Sequence, residues 1–397
     1  MVLDMRALRQ MFRSVRSADD LAWRMAMTGA PLVSTAGRAW LARPFPSHAR
    51  RRILLAYQPG DLAATQYYAF LRYSRRFAAQ GLHFRAVAAA GLVPDDLPAG
   101  LDALFFQSDY RLAEGVLADQ LSRIKSARPE VSISYFDWFA PTDVRFADRV
   151  EPYVDAYVKK SLFRDRARHA VPTQGHTALD DHYATRFDLD NPPRDWIVPH
   201  AIISRLDLSP AFHTAPELIQ LFEGEPPPEG ARDIDIHARI ASKGTAWYSR
   251  MREEAKAALL DNFADLKVVA SGRVSHDAFM DELHRAKICF SPFGYGEICW
   301  RDFEAIATGS VLVKPDMSHI EADPDIYVPG ETYVPVAWDF SDLDEKIRAL
   351  LADAPRRRRI ALQAFAVLHD HLQGDALERL AERLAMGKPG RHAAGDA

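Results

Sequence analysis

Short apolar runs and helical periodicities alternate along the chain from residue 53 onward. Ile53–Tyr57 is an apolar run closed by Gln58-Pro59-Gly60, which predicts a strand followed by a turn. Tyr67 to Gln80 has helical spacing with Gly81 as its stop signal. Phe84–Ala89, Leu101–Phe106 and Val131–Phe136 read as further buried strands, and Val116–Ser126 as a helix. Such alternation implies a mainly parallel sheet covered by helices on both faces.

The stretch Glu223-Gly224-Glu225-Pro226-Pro227-Pro228-Glu229-Gly230 fits neither helix nor central strand and reads as a connection between domains. A second series follows it. Strands are predicted at 234–240, 267–270, 288–291 and 311–313, with helices at 246–260, 276–286 and 298–308 between them. A long helical region spans about 356–384, and the last residues, from Gly387, should fray. The chain therefore divides into a helical extension (1–52), a first Rossmann-like domain (53–222), a linker (223–232), a second Rossmann-like domain (233–355) and a closing helix with tail (356–397). Ligands of such sheets bind outside the carboxyl ends of the strands.

Composition narrows the function classes. With 397 residues, 48% hydrophobic and 26% charged, the chain is long enough for two globular cores. A formal charge of −4 argues against a nucleic-acid partner, which calls for a basic protein. Two cysteines, Cys289 and Cys299, cannot build a disulfide framework or a cysteine-based zinc site, so a reducing compartment is expected. No apolar stretch approaches the roughly 20 residues that span a bilayer, and no signal-peptide plan is visible; the expected location is the cytoplasm. Charge is uneven, however: residues 1–52 hold ten arginines against Asp4, Asp19 and Asp20. Leu8, Met11, Phe12 and Val15 recur at helical spacing between Arg6, Arg9, Arg13 and Arg16, the plan of a helix lying on an anionic membrane surface. A helix packed on the body of the protein with a solvated basic face is the alternative.

Candidate chemistry concentrates in residues 291–315, which run strand, glycine loop, helix, glycine, strand. Gly294 and Gly296 permit close backbone approach, and the helix that follows would present free N–H groups to phosphate oxygens. Arg301 lies one turn into that helix and could grip a phosphate bidentately. Glu297 and Glu304, seven apart, fall on nearly one helix face and suit the hydroxyls of a ribose or hexose.

At these residues the sequence resembles the donor-binding core of GT-B glycosyltransferases, most closely the exostosin-like and CgeB-like branches. It is more distantly similar to the large retaining family with paired glutamates. The resemblance implies a GT-B fold, two Rossmann-like domains facing a cleft, and a nucleotide-diphosphate sugar as donor. It implies that Glu304 holds the nucleotide ribose, that the loop of Phe293, Gly294, Tyr295, Gly296 and Glu297 surrounds the diphosphate and sugar, and that Arg301 meets the phosphates. The cationic pair of that family is approximated by Arg239 and Lys243, and Gly272 to Asp277, with Arg273, fits the preceding strand and loop. The retaining family places seven residues between its glutamates where this chain has six, which sets Glu297 apart. Lys314, at the end of the last strand of this core, would face the donor or pair with a carboxylate; His319, in the loop beyond, would touch the donor or assist proton transfer, with a surface histidine of no role as its plainer reading.

In the first domain, Tyr135–Asp143 follows a predicted strand and is dense in aromatics, which suit a glycan or lipid-linked acceptor. Asp137 is the candidate base for the acceptor hydroxyl, with a hydrogen-bonded structural aspartate as its plainer reading. Asp-x-Asp occurs four times without a setting that would favour any one of them, so no metal and no cofactor beyond the donor substrate are expected. Two rival classes stand beside the transferase: a sugar-nucleotide epimerase of the same architecture, and a non-catalytic module binding glycan or membrane.

Overall fold

The computed structural model describes Leu41, residues 43–113 and residues 115–389. The basic amphipathic segment at 1–40 and the tail beyond residue 389 lie outside the described residues.

Two parallel sheets organise the chain. The first contains β1 (Arg51–Tyr57), β2 (Leu82–Ala88), β3 (Ala103–Phe106), β4 (Ser132–Asp137), β5 (Ala156–Lys159) and, after the short β6 (Leu162–Phe163), β7 (Leu206–Leu208). Its spatial order is β2-β1-β3-β4-β5-β7, parallel throughout. The second contains β8 (Ile234–His237), β9 (Val268–Val269), β10 (Ala286–Phe290) and β11 (Val311–Pro315), then, after β12 (Ile320–Glu321), β13 (Val334–Val336). Its order is β13-β11-β10-β8-β9, again parallel. Helices cover both faces, so the central strands read as continuous apolar runs rather than alternating ones. Ile53 to Tyr57 is buried without a break, and so is Val311 to Pro315. The expected fold, two Rossmann-like α/β domains, is present.

Several element bounds differ from the sequence expectation for local reasons. The helix expected at 67–80 starts earlier, at Asp61, where Ala63 and Ala64 are already buried, and is broken at Tyr73 into Asp61–Arg72 and Ser74–Ala79. The long closing helix is likewise two, Ala354–Gln373 and Ala376–Ala385, separated by Gly374 and Asp375. The second of these returns to the first domain: Arg383 forks onto the buried Asp207 at 2.9 and 3.0 Å, and Arg76 donates to Glu378 at 3.0 Å.

The domains meet through more than this helix. β6 and β12 form an antiparallel two-stranded ladder between them, flanked by Arg166 paired with Glu321 at 2.6 Å. Tyr183 Oη donates to the Trp338 carbonyl at 3.0 Å. At the start of the proline-rich connection, Glu223 is held by the Arg72 fork at 2.5 and 2.6 Å and by Tyr73 Oη at 2.8 Å.

Candidate donor site and interdomain contact

In the second sheet the chain leaves β8 toward β9 on one side and β10 toward β11 on the other. A crevice therefore opens past the carboxyl ends of β8 and β10, the switch point at which such sheets bind ligands. A cavity of about 570 Å³ occupies it, lined by Arg239, Arg273, His276, Phe279 and Glu304 among others. Three residues singled out from the sequence, Arg239, Arg273 and Glu304, thus converge on one cavity.

Their roles within it differ. Arg239, in the left-handed region with φ 38°, forks onto Glu282 at 2.5 Å twice and donates to the carbonyls of Ser271 and Gly272 at 2.7 and 2.8 Å. It builds the cavity wall, and its charge is already met. Arg273 is exposed and has no ion-pair partner among the described residues. Lys243 is exposed as well and does not line the cavity. Arg301 donates to the Arg239 carbonyl at 3.0 Å, and its buried Nε has no partner. Close by, Arg252 is buried and bonds only main-chain carbonyls, those of Ala241 at 2.6 Å and Phe293 at 2.7 Å. Burial and the neighbouring Arg301 charge both hold Arg252 below the usual guanidinium pKa. Two adjacent arginines bonded only to carbonyls leave positive charge that no carboxylate of the described residues neutralises. Sequence reasoning missed Arg252, because a single arginine within the Ala246–Asn262 helix gives no sign of the loops it ties together.

Glu304 is largely buried, with Oε1 3.2 Å from His276 Nε2. That hydrogen bond, partly opposed by desolvation and helped by the carboxylate charge, raises the His276 pKa. A raised histidine pKa stabilises the folded chain below the unfolded midpoint near 6.5, and the contribution is lost as pH climbs through the folded midpoint. His276 is half exposed, so solvent screening keeps the effect small. An NMR titration should place the His276 midpoint above the ordinary histidine value, and Glu304→Gln should return it; a midpoint that ignores the substitution would rule out the contact.

The glycine loop does not open onto this cavity as the sequence suggests. The helix begins at Trp300, not Ile298, because the carboxylate of Asp302 caps it, accepting the Cys299 N–H at 3.0 Å. Asp302 is fully buried and also accepts from Ser291 Oγ at 2.6 Å and Tyr327 Oη at 2.7 Å, with Lys314 Nζ at 3.2 Å. Lys314, itself fully buried, is thus the counter-charge of a helix cap rather than a donor contact. Gly309, with φ 75°, closes the other end in the left-handed conformation that glycine tolerates. Phe293 is core, 5.0 Å from the Trp338 ring. Tyr295 is exposed and stacks on Tyr248 at 4.4 Å, its hydroxyl accepting the Thr245 N–H at 3.1 Å.

With the helix starting at Trp300, Glu297 and Glu304 do not share a helix face. Glu297 precedes the helix and turns to the first domain. It is buried, and Oε2 accepts from Thr142 Oγ1 at 2.7 Å and from the Thr142 N–H at 3.2 Å. Thr142 Oγ1 in turn meets Ser161 Oγ at 2.8 Å. Gly296 lies so close to the first domain that a Cβ there would sit 1.9 Å from the Ala140 carbonyl oxygen. Gly294 sits in the same turn, its N–H donating to the Gly296 carbonyl at 3.1 Å. His319 Nε2 stands 3.9 Å from Glu297 Oε1, and neither ring nitrogen has a hydrogen-bond partner. Burial alone would push the Glu297 carboxyl up; His319 and Thr142 more than offset it, so the group lies below the ordinary glutamate range and stays ionised.

Asp137 departs from expectation. It is fully buried, and its carboxylate accepts from Tyr157 Oη at 2.6 Å, Lys159 Nζ at 2.9 Å and the Phe139 N–H at 2.9 Å. This is a structural ion pair, the plainer reading, and not an acceptor-facing base. Aromatic neighbours that suggested a sugar platform in the sequence are the walls that bury it. Among the described residues no group of three His, Cys, Asp or Glu side chains is placed to hold a metal ion, and no helix is long and apolar enough to cross a membrane.

The segment that carries this geometry also carries a sequence match. Residues 230–382 are similar to the family described as "Glycosyl transferase-like". The match begins just before β8 and ends within the Ala376–Ala385 helix, so it takes in the switch-point cavity, the glycine loop and the capped helix. No curated protein matches the chain. Among solved structures, the chain is similar to a glycosyltransferase of Rickettsia africae at 9% identity and a TM-score of 0.46, over 84% of this chain and 98% of that one. A protein of Listeria monocytogenes described as a UDP-N-acetylglucosamine 2-epimerase follows at 7% identity and 0.45, over 86% and 100%. An alpha-glucosyltransferase in complex with UDP gives 11% identity and 0.44, over 84% and 98%. Likeness at this level says nothing of substrate or mechanism; the glycosyl transferase-like match rests on residues 230–382.

Proposed function

We propose that the chain is a glycosyltransferase that moves a sugar from a nucleotide-diphosphate donor, bound on the second domain, to a glycan, glycolipid or protein acceptor entering from the first. One observation carries this reading: at the switch point Arg273 and Glu304 line the crevice, and Arg301 and Arg252, which do not line it, stand behind its wall on the carbonyls of Arg239 and Ala241 as cations without carboxylate partners. The diphosphate would lie toward the arginines and the ribose toward Glu304. Fixed cations in a partly desolvated crevice stabilise a departing diphosphate better than mobile solvent does, and contact between the domains at Gly296 and Glu297 would exclude water from the reacting sugar. Residues 291–315 also support the exostosin-like and CgeB-like reading at the level of resemblance. The catalytic role of Glu297 in this reading is to hold charge and position between the domains, opposite His319.

The test is release of nucleotide from UDP-, GDP- and ADP-sugars by the full chain. A hydrogen bond to a charged group contributes about 1.5–3 kcal/mol, so Glu304→Ala and Arg301→Ala should each weaken nucleotide binding by about tenfold to a hundredfold. Wild-type turnover by folded variants would remove the assignment.

The Glu297–His319 juxtaposition favours a second reading, a sugar-nucleotide epimerase, because such an enzyme needs an acid and a base around the sugar. The NMR spectrum of the same incubation separates the two: a new sugar epimer marks the epimerase, and release of nucleotide with no epimer formed the transferase.

A further inference from the structure

A second cavity, about 870 Å³ and larger than the one at the switch point, lies against the first domain between residues 163–196 and Trp338. Of the segments singled out from the sequence, only the aromatic stretch 135–143 reaches it, through Asp143. Its walls combine three kinds of chemistry.

The first is unmatched positive charge. Arg168 is exposed and lies over the Phe163 ring at 5.0 Å, with no ion-pair partner among the described residues. Arg194 lies over Trp196 at 4.4 Å and donates only to the carbonyls of His169 and Ala170, at 3.1 and 3.0 Å. Of the carboxylates on the wall, Asp143 is already gripped by the Arg145 fork at 2.7 and 2.8 Å, and Asp181, which accepts the Gln174 N–H at 2.7 Å, keeps its charge, one carboxylate against the two arginines. The remaining arginine, Arg186, is neutralised by Glu254 at 2.5 Å.

The second is a pair of idle donors. His169 is 2% exposed, and its Nε2 accepts the Phe163 N–H at 3.1 Å. Burial and the nearby arginines hold its pKa down at about 3, so the neutral ring carries its proton on Nδ1. That Nδ1–H has no acceptor, and neither has Trp196 Nε1–H. Buried donors are nearly always satisfied; both nitrogens lie just behind the cavity surface, so each meets an acceptor there only after a small shift of the wall. The third is aromatic surface: the half-buried indoles of Trp196, whose other face carries Arg194, and of Trp338 line the cavity and are of the kind that packs against the apolar side of a sugar.

The position ties the cavity to the site already described. Trp338 packs at 5.0 Å against both Phe293 and His319, so one indole separates the cavity from the Glu297–His319 contact. We infer that this cavity is the acceptor subsite and that it takes a sugar bearing an anionic group, a carboxylate or a phosphate, whose charge meets Arg168 and Arg194. The word acceptor rests on the glycosyltransferase reading; affinity for an acidic sugar does not.

The experiment titrates the full chain with methyl glucuronide, glucose 6-phosphate and methyl glucoside, with UDP in parallel. The variants are Arg168→Gln, whose side chain is exposed, and Trp196→Phe, which removes the idle N–H and keeps a ring. One charge-assisted contact corresponds to about a tenfold change in affinity. At least one acidic sugar should bind about tenfold more tightly than the neutral glucoside, and whichever of the two binds better names carboxylate or phosphate as the group. Arg168→Gln should cut that preference several-fold, Arg194 carrying what remains, Trp196→Phe should weaken it, and UDP affinity should stay unchanged in both. Equal binding of methyl glucoside, an unchanged preference in Arg168→Gln, or no binding of either acidic sugar at its solubility limit would overturn the assignment. Binding of an acidic sugar with the preference intact but no binding of UDP would uphold the cavity and remove the donor site, so the two readings fail separately.

Discussion

Gly296→Ala should lower sugar transfer by at least about a hundredfold, the scale of loss that follows when reacting groups are misplaced by about an ångström. A Cβ at this position would lie 1.9 Å from the Ala140 carbonyl oxygen, 2.4 Å from its carbon and 3.0 Å from the Pro141 nitrogen. All three are backbone atoms, so no flexible side chain can swing away. Either the loop retracts or the domains part, and both movements separate Glu297 from Thr142. One apolar cluster runs through both domains, so a thermal melt must accompany the assay to show that the variant is folded. Turnover measured beside small-angle scattering distinguishes the outcomes: lost activity with a more open particle fits the contact described here, whereas full activity in an unchanged particle would show that this contact is dispensable.

Lys159→Met should have the largest effect on stability. Lys159 and Asp137 are 1% and 0% exposed and pair at 2.9 Å. Removing the lysine leaves a carboxylate inside the first sheet with Tyr157 Oη, one N–H and only the longer-range attraction of Arg145 and Lys160. Breaking a buried pair in this way costs about 3–5 kcal/mol. Replacing both partners, Lys159→Met with Asp137→Leu, should recover much of the loss, since it leaves no charge stranded. Urea denaturation measures both variants; a single-variant loss within the range of an ordinary surface substitution, about 0.5 kcal/mol, would mean that solvent reaches the carboxylate.

These two sites mark what the sequence made legible and what it hid. The α/β alternation was readable because strands covered on both faces are unbroken apolar runs, as at Ile53–Tyr57 and Val311–Val313, punctuated by glycine and proline. The convergence of Arg239, Arg273 and Glu304 was readable for a related reason: in a parallel sheet the residues after successive strands gather at one edge. Helix capping was the weak point. Asp302 looks like any polar first-turn residue, yet its buried carboxylate sets the helix start at Trp300 and so turns Glu297 away from Glu304. The ladder of β6 with β12 was invisible because two-residue strands have no periodicity and the partners are remote in sequence. Asp137 was misplaced because aromatic neighbours are as consistent with a buried ion pair as with a sugar platform; only the approach of Lys159 from the adjacent strand decides it. The 870 Å³ cavity gave almost no signal beyond the end of the 135–143 segment, since its wall at residues 163–196 is built largely from turns and short helices and Trp338 comes from the other domain.

Locating a bound nucleoside diphosphate is the most direct measurement. Crystals soaked in turn with UDP, GDP and ADP should show the ribose beside Glu304 and the phosphates toward Arg301, Arg252 and Arg273, past the ends of β8 and β10. Nucleotide density elsewhere on the chain, or a crevice left empty by all three at saturating concentration, would contradict the account.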